Sequence, residues 1–510
     1  MTATAPPDHT PIIVGSGQYT ELLADGETPL LNPPMALAAT ASQTALDDAG
    51  IPADQLDTVA VIRLFSDSAP AWRCPFGGSD NPPASIAQRI GAQPAQRIYS
   101  NAGGTQPLQI LAELFSAIAR GDVGIALLAG AEAIASQRHA QRNELQPDWS
   151  EHFELPMDER KYVQRFAAPQ ELASGMCLPA HYYSLIENRQ ARELGHSPQA
   201  HQSYMGQMFA PFSQVAAANP LAFYRQAFDA TDLAAAAGGN YPITQPYTKR
   251  LVAQDAVNQG AALALTSVGK ARELGIPRDQ WIFLQGYGEG SDHYLLLREN
   301  ICRSAAMTQV LTESLSMAGT DSTALDLIDI YSCFPCAVQA AAEALSLPID
   351  GSRPLTITGG LPFFGGPGNN YTTHALAEMA RQLRGRESRG LVTANGGILS
   401  KHAAAVLSTS PGADCIDWRQ GLPFEVDSEA IGTRETIDAD TQGSVLSYTV
   451  IAMRDAADIA VIMGESAAGE RFLAGNSDVS VTQELWRSSP IGRAISTSWD
   501  GERHHFSFAD

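Results

Sequence analysis

At 510 residues the chain is too long for a single hydrophobic core, and two or three domains are expected. Its 33 Lys and Arg stand against 55 Asp and Glu, a net charge of −22 with no basic stripe, which argues against binding to a nucleic-acid backbone. The 44% hydrophobic and 17% charged composition is that of a folded soluble protein, and no run of ~18 apolar residues could span a bilayer.

The first residues, Met1-Thr-Ala-Thr-Ala-Pro-Pro-Asp8, lack the basic and apolar segments of a signal peptide. Residues 11–14 read as a buried strand, 34–50 as a helix closed by Gly50, and 58–64 as a second strand. Gly103-Gly104-Thr105 leads into a helix at 108–120, whose apolar Leu108, Leu111, Leu114, Phe115 and Ile118 define a buried face. The apolar run 124–130 suits a central strand covered on both sides. Between about 136 and 241 the chain turns rich in Gln, Arg, Tyr, Met and His, with a long helix at 179–194, and reads as an insertion. Strand patterns return at 259–266 and 281–286, and a helix is expected at 371–383. From about Glu429 the runs 444–452, 458–463 and 469–474 suggest a small, separately folded β domain.

Two halves are visible. Residues 48–65 lie on residues 317–334 without a gap, at a constant offset of 269 (49 onto 318, 65 onto 334), with Ala-Gly, Leu-Asp and the final Phe coinciding. Gly103-Gly104, a helix and a strand ending at Gly130 are matched by Gly365-Gly366, a helix and a strand ending at Gly396. Such a repeat of helix, strand, Gly turn, helix and strand argues for a duplicated α/β fold.

The duplication, the insertion in the first half and the block Gly359-Gly-Leu-Pro-Phe-Phe-Gly-Gly-Pro-Gly-Asn-Asn-Tyr371 resemble the thiolase superfamily over roughly residues 10–425. The likeness is to sterol-carrier-protein-type thiolases and their thiolase-like relatives, often labelled acetyl-CoA acetyltransferases. It implies a five-layer αβαβα core. The first half would span 1–290 with its loop domain at 136–241, the second half 291–425, and an extra β-rich domain 429–510.

The resemblance also implies an active site at two facing helix N-termini, where a thiolase carries a cysteine thiolate, an oxyanion hole and a proton shuttle. Here the nucleophile position falls on Gly104, with Gly103 the next choice. The family's Asn-Glu-Ala-Phe signature aligns with Tyr331-Ser-Cys-Phe334, its Gly-His-Pro with Gly365-Gly366-Pro367, and its Cys-x-Gly falls near Thr393-Ala394-Asn395-Gly396-Gly397. Without a nucleophile the covalent mechanism is lost. The leading expectation is therefore a protein of lipid metabolism that binds CoA or acyl-CoA and is not a conventional acetyltransferase. Two alternatives stay open: non-covalent acyl-CoA chemistry (retro-aldol cleavage or acyl transfer), and a scaffold acting through its C-terminal domain.

Candidate catalytic residues are Tyr331, His402 and Cys333. Candidate ligand contacts are Gly103, Gly104, Gly365, Gly366, Asn369 and His181, with Lys161 and Arg165 placed to meet CoA phosphates. The two Gly-Gly turns could leave bare backbone N–H groups, or could simply be tight strand–helix turns. No metal site is expected, since Cys333-x-x-Cys336 has no second pair. No covalent cofactor is expected either. Scattered cysteines point to a reducing, cytoplasmic setting. Partners would be acyl-CoA and, by family precedent, a small partner protein; monomer and homodimer both stay open. Gly104→Cys is expected to create an alkylatable thiol with little turnover.

Overall fold

Two sheets repeat one strand order. In the first, Pro11–Thr20 pairs antiparallel with Asn258–Ser267, which pairs antiparallel with Ile125–Ala133, which runs parallel to Thr58–Val61. In the second, Phe283–Ser291, Lys401–Ser408, Arg389–Gly396 and Leu327–Asp329 repeat those three relations in that order. The first sheet continues through Gln96–Tyr99 to the short edge strand Asp158–Glu159. The strand pattern at 281–286, grouped from the sequence with the first half, thus belongs to the second sheet. The computed structural model describes residues 5–23, 31–161, 167–412 and 415–509.

Helices Gln106–Arg120 and Tyr371–Leu383 lie between the sheets and touch both. Pro34–Ala49 and Pro82–Ile90 cover the outer face of the first sheet, and Ala305–Met317 packs on the outer face of the second beside Pro335–Ala344. This is the five-layer duplicated fold. The apolar stripe on Gln106–Arg120 predicts one buried face, but Ile110, Ala112 and Ala119 on its other sides are buried too. A helix sandwiched between sheets buries most of its circumference, and here only Glu113 and the terminal Arg120 are exposed.

Helices Ile134–Arg142, Pro169–Ala173, Pro179–Glu193, Pro198–Ala218 and Ala230–Ala234 make the insertion mostly helical. The C-terminal strands Thr441–Ile451, Ile459–Ser466 and Arg471–Asn476 are joined by Ala494–Trp499, His504–Phe508 and helix Val479–Arg487. One face of this unit carries a core of its own around Tyr448, Ile462, Phe472 and Ile495, while the other packs into the main core through Val461, Met463 and Leu473. Its seven-stranded sheet ends in two strands at the C-terminal margin of the insertion, just past the expected bound of 241, Pro242–Thr244 and Tyr247–Thr248. Gln245 N–H donates to Val450 O at 2.8 Å, and Asn188 Nδ2 donates to Tyr448 O at 2.8 Å. The insertion and the C-terminal unit therefore share one hydrogen-bonded sheet. Among the described residues no helix is long and apolar enough to cross a membrane.

Candidate functional site

Gly103 and Gly365 occupy equivalent turns, with φ of 140° and 124°. That conformation is open to glycine and strained for any other residue, so the first glycine of each pair is required by its turn. Gly104 precedes the Gln106–Arg120 helix and faces the other central helix, since Thr372 Oγ1 donates to Gly104 O at 3.1 Å. The N–H groups at these turns are only partly free. Gly103 N–H is taken by Asn369 Oδ1 at 3.0 Å and Gly366 N–H by Gln254 O at 2.8 Å. Gly104 and Thr105 N–H have no acceptor among the described residues. Asn369 also donates through Nδ2 to Arg63 O at 2.8 Å, so it fastens the two halves together at this point.

The space where a side chain on Gly104 would go is filled. A Cβ there would overlap the carbonyl oxygen of Asn395 and stand 2.7 Å from the Tyr331 hydroxyl. This corrects the expectation for Gly104→Cys: a sulfur has no room and would be sealed from an alkylating agent. Tyr331 is anchored by its N–H to Thr393 Oγ1 at 2.9 Å and packs edge-on against Tyr371. Behind it, the buried Asp329 carboxylate accepts from Tyr371 OH, Thr356 Oγ1 and the N–H of Ile357, fixing strand Leu327–Asp329 to the loop before the Tyr371–Leu383 helix. The Tyr331 hydroxyl has no hydrogen-bond partner among the described residues, and burial pushes it well above the usual phenol range, so it stays protonated.

Cys333 is beside this group, with Asn395 Nδ2 3.5 Å from its sulfur. Burial pushes the thiol up to about 12, so at neutral pH it is not the thiolate a nucleophile requires. His402 does not reach Gly104. Side chains alternate along a strand. Lys401 and Gly396, a cross-strand pair, are on the Gly104 side, with the Cβ position of Gly396 3.4 Å from Gly104 N and 3.5 Å from Lys401 Cβ. His402 turns the other way, toward Met307, Val310 and Leu311 of the outer helix. Its Nε2–H donates to Leu399 O at 3.1 Å, and burial pulls its pKa down to about 4, so it is neutral. The cavity it shares with Tyr331 and Asn395 is ≈ 10 Å³, room for about one water.

His181 is also buried; it spends Nδ1 on Cys177 N–H at 3.3 Å, and its pKa falls to about 4 for want of solvation. The insertion helix does reach the site, but through Tyr183. That hydroxyl accepts from Asn395 Nδ2 and Leu399 N–H, each at 2.9 Å, and lies 3.3 Å from Gly397 O, while its ring stacks on Phe334 at 4.2 Å. Leu399 sits at φ 51°, a conformation held only where surroundings over-determine it. The buried Arg298 guanidinium also donates to Leu399 O and Ile398 O. Tyr183→Phe strands two buried donors at about 1–3 kcal/mol each. A loss of about 3 kcal/mol is expected, with faster hydrogen exchange at Leu399 as the local readout; unchanged exchange there would show that the clamp is not needed.

Lys161 is exposed and paired with Glu159 at 2.9 Å, just past the edge strand beside Gln96–Tyr99. Arg165 is outside the described residues. Tyr183 and Asn395 were missed as site residues, although both fall on segments that the sequence marks, the insertion helix and the late Gly-Gly loop. Lys401, half-buried with its pKa lowered by burial, starts its side chain beside Gly396, which in turn adjoins Gly104 N.

No family model and no curated protein matches the sequence. Solved structures do. A monomeric SCP2-thiolase like protein type 1 from Mycobacterium smegmatis is 31% identical, with a TM-score of 0.82 over 99% of this chain and 100% of that one, so the likeness includes the C-terminal unit. An Ltp2-ChsH2(DUF35) aldolase matches at a TM-score of 0.58 and 18% identity, over 78% of this chain and 98% of that one. A human mitochondrial 3-ketoacyl-CoA thiolase in complex with CoA matches at 0.52 and 15% identity, over 78% and 98%. The last two likenesses concern the fold alone.

Proposed function

The chain belongs to the SCP2-thiolase-like family of the thiolase superfamily, and from that premise we propose that it binds CoA or an acyl-CoA where its two central helices face each other, without cysteine-dependent acyl transfer. One observation carries the reading: the residue at the helix N-terminus is Gly104, and Tyr331 and Asn395 O occupy the place of its missing side chain. The open N–H groups of Gly104 and Thr105 suit a thioester carbonyl. The ligand class is taken from the CoA held by the human thiolase. Seating an acyl group beside Gly104 requires the Tyr331 ring to rotate, since its hydroxyl and Asn395 O already fill that place.

The test is a titration of the protein with acetyl-CoA and longer acyl-CoA esters, followed by intact-mass measurement. Saturable binding with no acyl adduct is the expected result. An adduct on Cys333 would make the protein a thiolase with a relocated nucleophile. No binding of any CoA ester would sink the reading and leave the scaffold role.

A second reading draws on the Tyr331 hydroxyl, which is protonated and, among the described residues, unpartnered beside Gly104. In a retro-aldol cleavage of a β-hydroxyacyl-CoA this phenol would relay one proton: as the carbon–carbon bond breaks it gives its own proton to the α-carbon of the enolate and takes up the proton released by the β-hydroxyl, which leaves as the carbonyl product. The aldolase among the similar folds makes that reaction class the one to assay. Turnover removed by Tyr331→Phe with binding intact would establish it; turnover that survives Tyr331→Phe would refute it.

A further inference from the structure

Lys401 is a sheltered cation without a counter-charge. Arg384, Arg471 and Arg63 are also withdrawn from water, and each has a partner: Asp48 at 2.6 Å, Glu465 at 3.4 Å and Ser100 O at 2.8 Å. Lys401, half-buried at the start of strand Lys401–Ser408, has neither an ion pair nor a hydrogen bond among the described residues, and burial alone lowers its pKa. Directly across from it on Phe283–Ser291 is the uncharged Ser291. The carboxylate on the same face, Glu289 opposite Ala403, is engaged by Tyr287 OH and by Gln109 Nε2 at 3.3 Å, and burial raises its pKa. A charge taken out of water is costly unless it is paired. In a chain of net charge −22 no carboxylate has been placed to pair with this one.

The place where Lys401 begins is shared with the helix N-terminus. Gly396, its cross-strand partner, has no side chain. A Cβ there would stand 3.4 Å from Gly104 N, 3.8 Å from Thr105 N and 3.5 Å from Lys401 Cβ, so there is room between the two open N–H groups and the stem of the lysine. Tyr331 approaches Gly104 from the Cβ side. It is 8% exposed, and its hydroxyl, unpartnered among the described residues, is 2.7 Å from where a Gly104 Cβ would be. Backbone donors, a phenol and an ammonium group thus converge on one spot, each with a hydrogen to give.

We propose that the acyl group held beside Gly104 carries a carboxylate of its own, as in a malonyl thioester, and that Lys401 binds this carboxylate while the N–H groups of Gly104 and Thr105 hold the thioester carbonyl. The inference rests on the CoA reading above and narrows it to acidic acyl groups. The phosphates of CoA do not take this place. The whole pantetheine arm separates them from the thioester, whereas Lys401 starts beside the N–H groups that face the carbonyl. A purely apolar acyl group would leave the ammonium both buried and unpaired, the costly arrangement. An ammonium on a flexible four-carbon stem is a mobile point charge, so it can follow a carboxylate at more than one distance from the thioester.

The test is calorimetric titration of the full-length protein with malonyl-CoA and with isovaleryl-CoA, which has the same CoA phosphates and replaces the carboxylate by an uncharged group of the same shape. Malonyl-CoA is expected to bind roughly 10-fold tighter or more. Lys401→Met keeps most of the stem and is expected to bring the ratio of the two affinities to about one, whereas Lys401→Arg, which keeps the charge, should retain a preference for malonyl-CoA. The wild-type ratio decides the ligand class without any variant, should a substitution disturb folding. Isovaleryl-CoA binding as tightly as malonyl-CoA would overturn the inference and leave the CoA reading standing. A malonyl preference that survives Lys401→Met would overturn the role given to Lys401. Failure of both esters to bind would remove the CoA reading and this inference with it.

Discussion

Between pH 4.5 and 8 the wild-type protein is expected to lose about 5 kcal/mol of stability relative to Glu132→Gln, at about 1.4 kcal/mol per pH unit. Glu132 is the penultimate residue of the central strand Ile125–Ala133 and is 3% exposed. Burial raises its pKa from 4.5 to about 8, with Asp67 and Asp255 adding to the rise and the Phe65 N–H, 2.6 Å away, opposing it. A carboxyl whose folded pKa is raised stabilises the fold fully below its unfolded pKa, and that contribution is lost as pH rises through the folded value. Glutamine keeps the acceptor for Phe65 and does not titrate. Denaturant unfolding of both proteins at several pH values from 5 to 9 measures the difference. A gap that stays constant across that range would show that Glu132 is ionised in the folded protein throughout.

Gly104→Ala is expected to cost about 3 kcal/mol or more, the upper end of what overpacking does, although an alanine there breaks no backbone rule. Its added Cβ would overlap Asn395 O, a backbone atom of strand Arg389–Gly396 that cannot give way cheaply, and would crowd the Tyr331 hydroxyl. Removing that hydroxyl in Gly104→Ala/Tyr331→Phe should recover only part of the loss, because the carbonyl clash stays. Gly103→Ala supplies the contrast. It meets no atom closer than 3.9 Å, so its cost comes from the φ of 140° alone, about 1–3 kcal/mol. Unfolding midpoints of the three variants against wild type check this. If Gly104→Ala is as stable as wild type, the packing around the helix N-terminus is loose, and the argument that Tyr331 and Asn395 replace a side chain falls with it.

The acid/base assignments show where sequence reasoning stopped. His402 and Lys401 are neighbours on one strand, and the late Gly-Gly loop before them marks both equally. The register of Lys401–Ser408 against Arg389–Gly396 decides between them, sending Lys401 to the Gly104 side and His402 to the outer helix. Likewise Pro179–Glu193 reads as a helix from its pattern, but which of His181, Tyr182 and Tyr183 reaches the loop at 395–400 depends on how that helix is rotated against the core. Cys333 was a catalytic candidate from its place in the aligned signature; its lack of reactivity follows from a depth of burial that composition does not give.

The sequence by itself determined the duplication, the two Gly-Gly turns, the central helices and the glycine at the helix N-terminus. These follow from local causes: periodicity, a φ that only glycine tolerates, and the presence or absence of a side chain. The tertiary structure decided what surrounds them: Tyr331 and Asn395 O filling the place beside Gly104, Tyr183 clamping Leu399, and the C-terminal sheet extended by strands from the margin of the insertion. Each of these joins segments tens to hundreds of residues apart, through strand register and helix rotation. Those are set by the packing of the whole core, and no stretch of the chain encodes them alone.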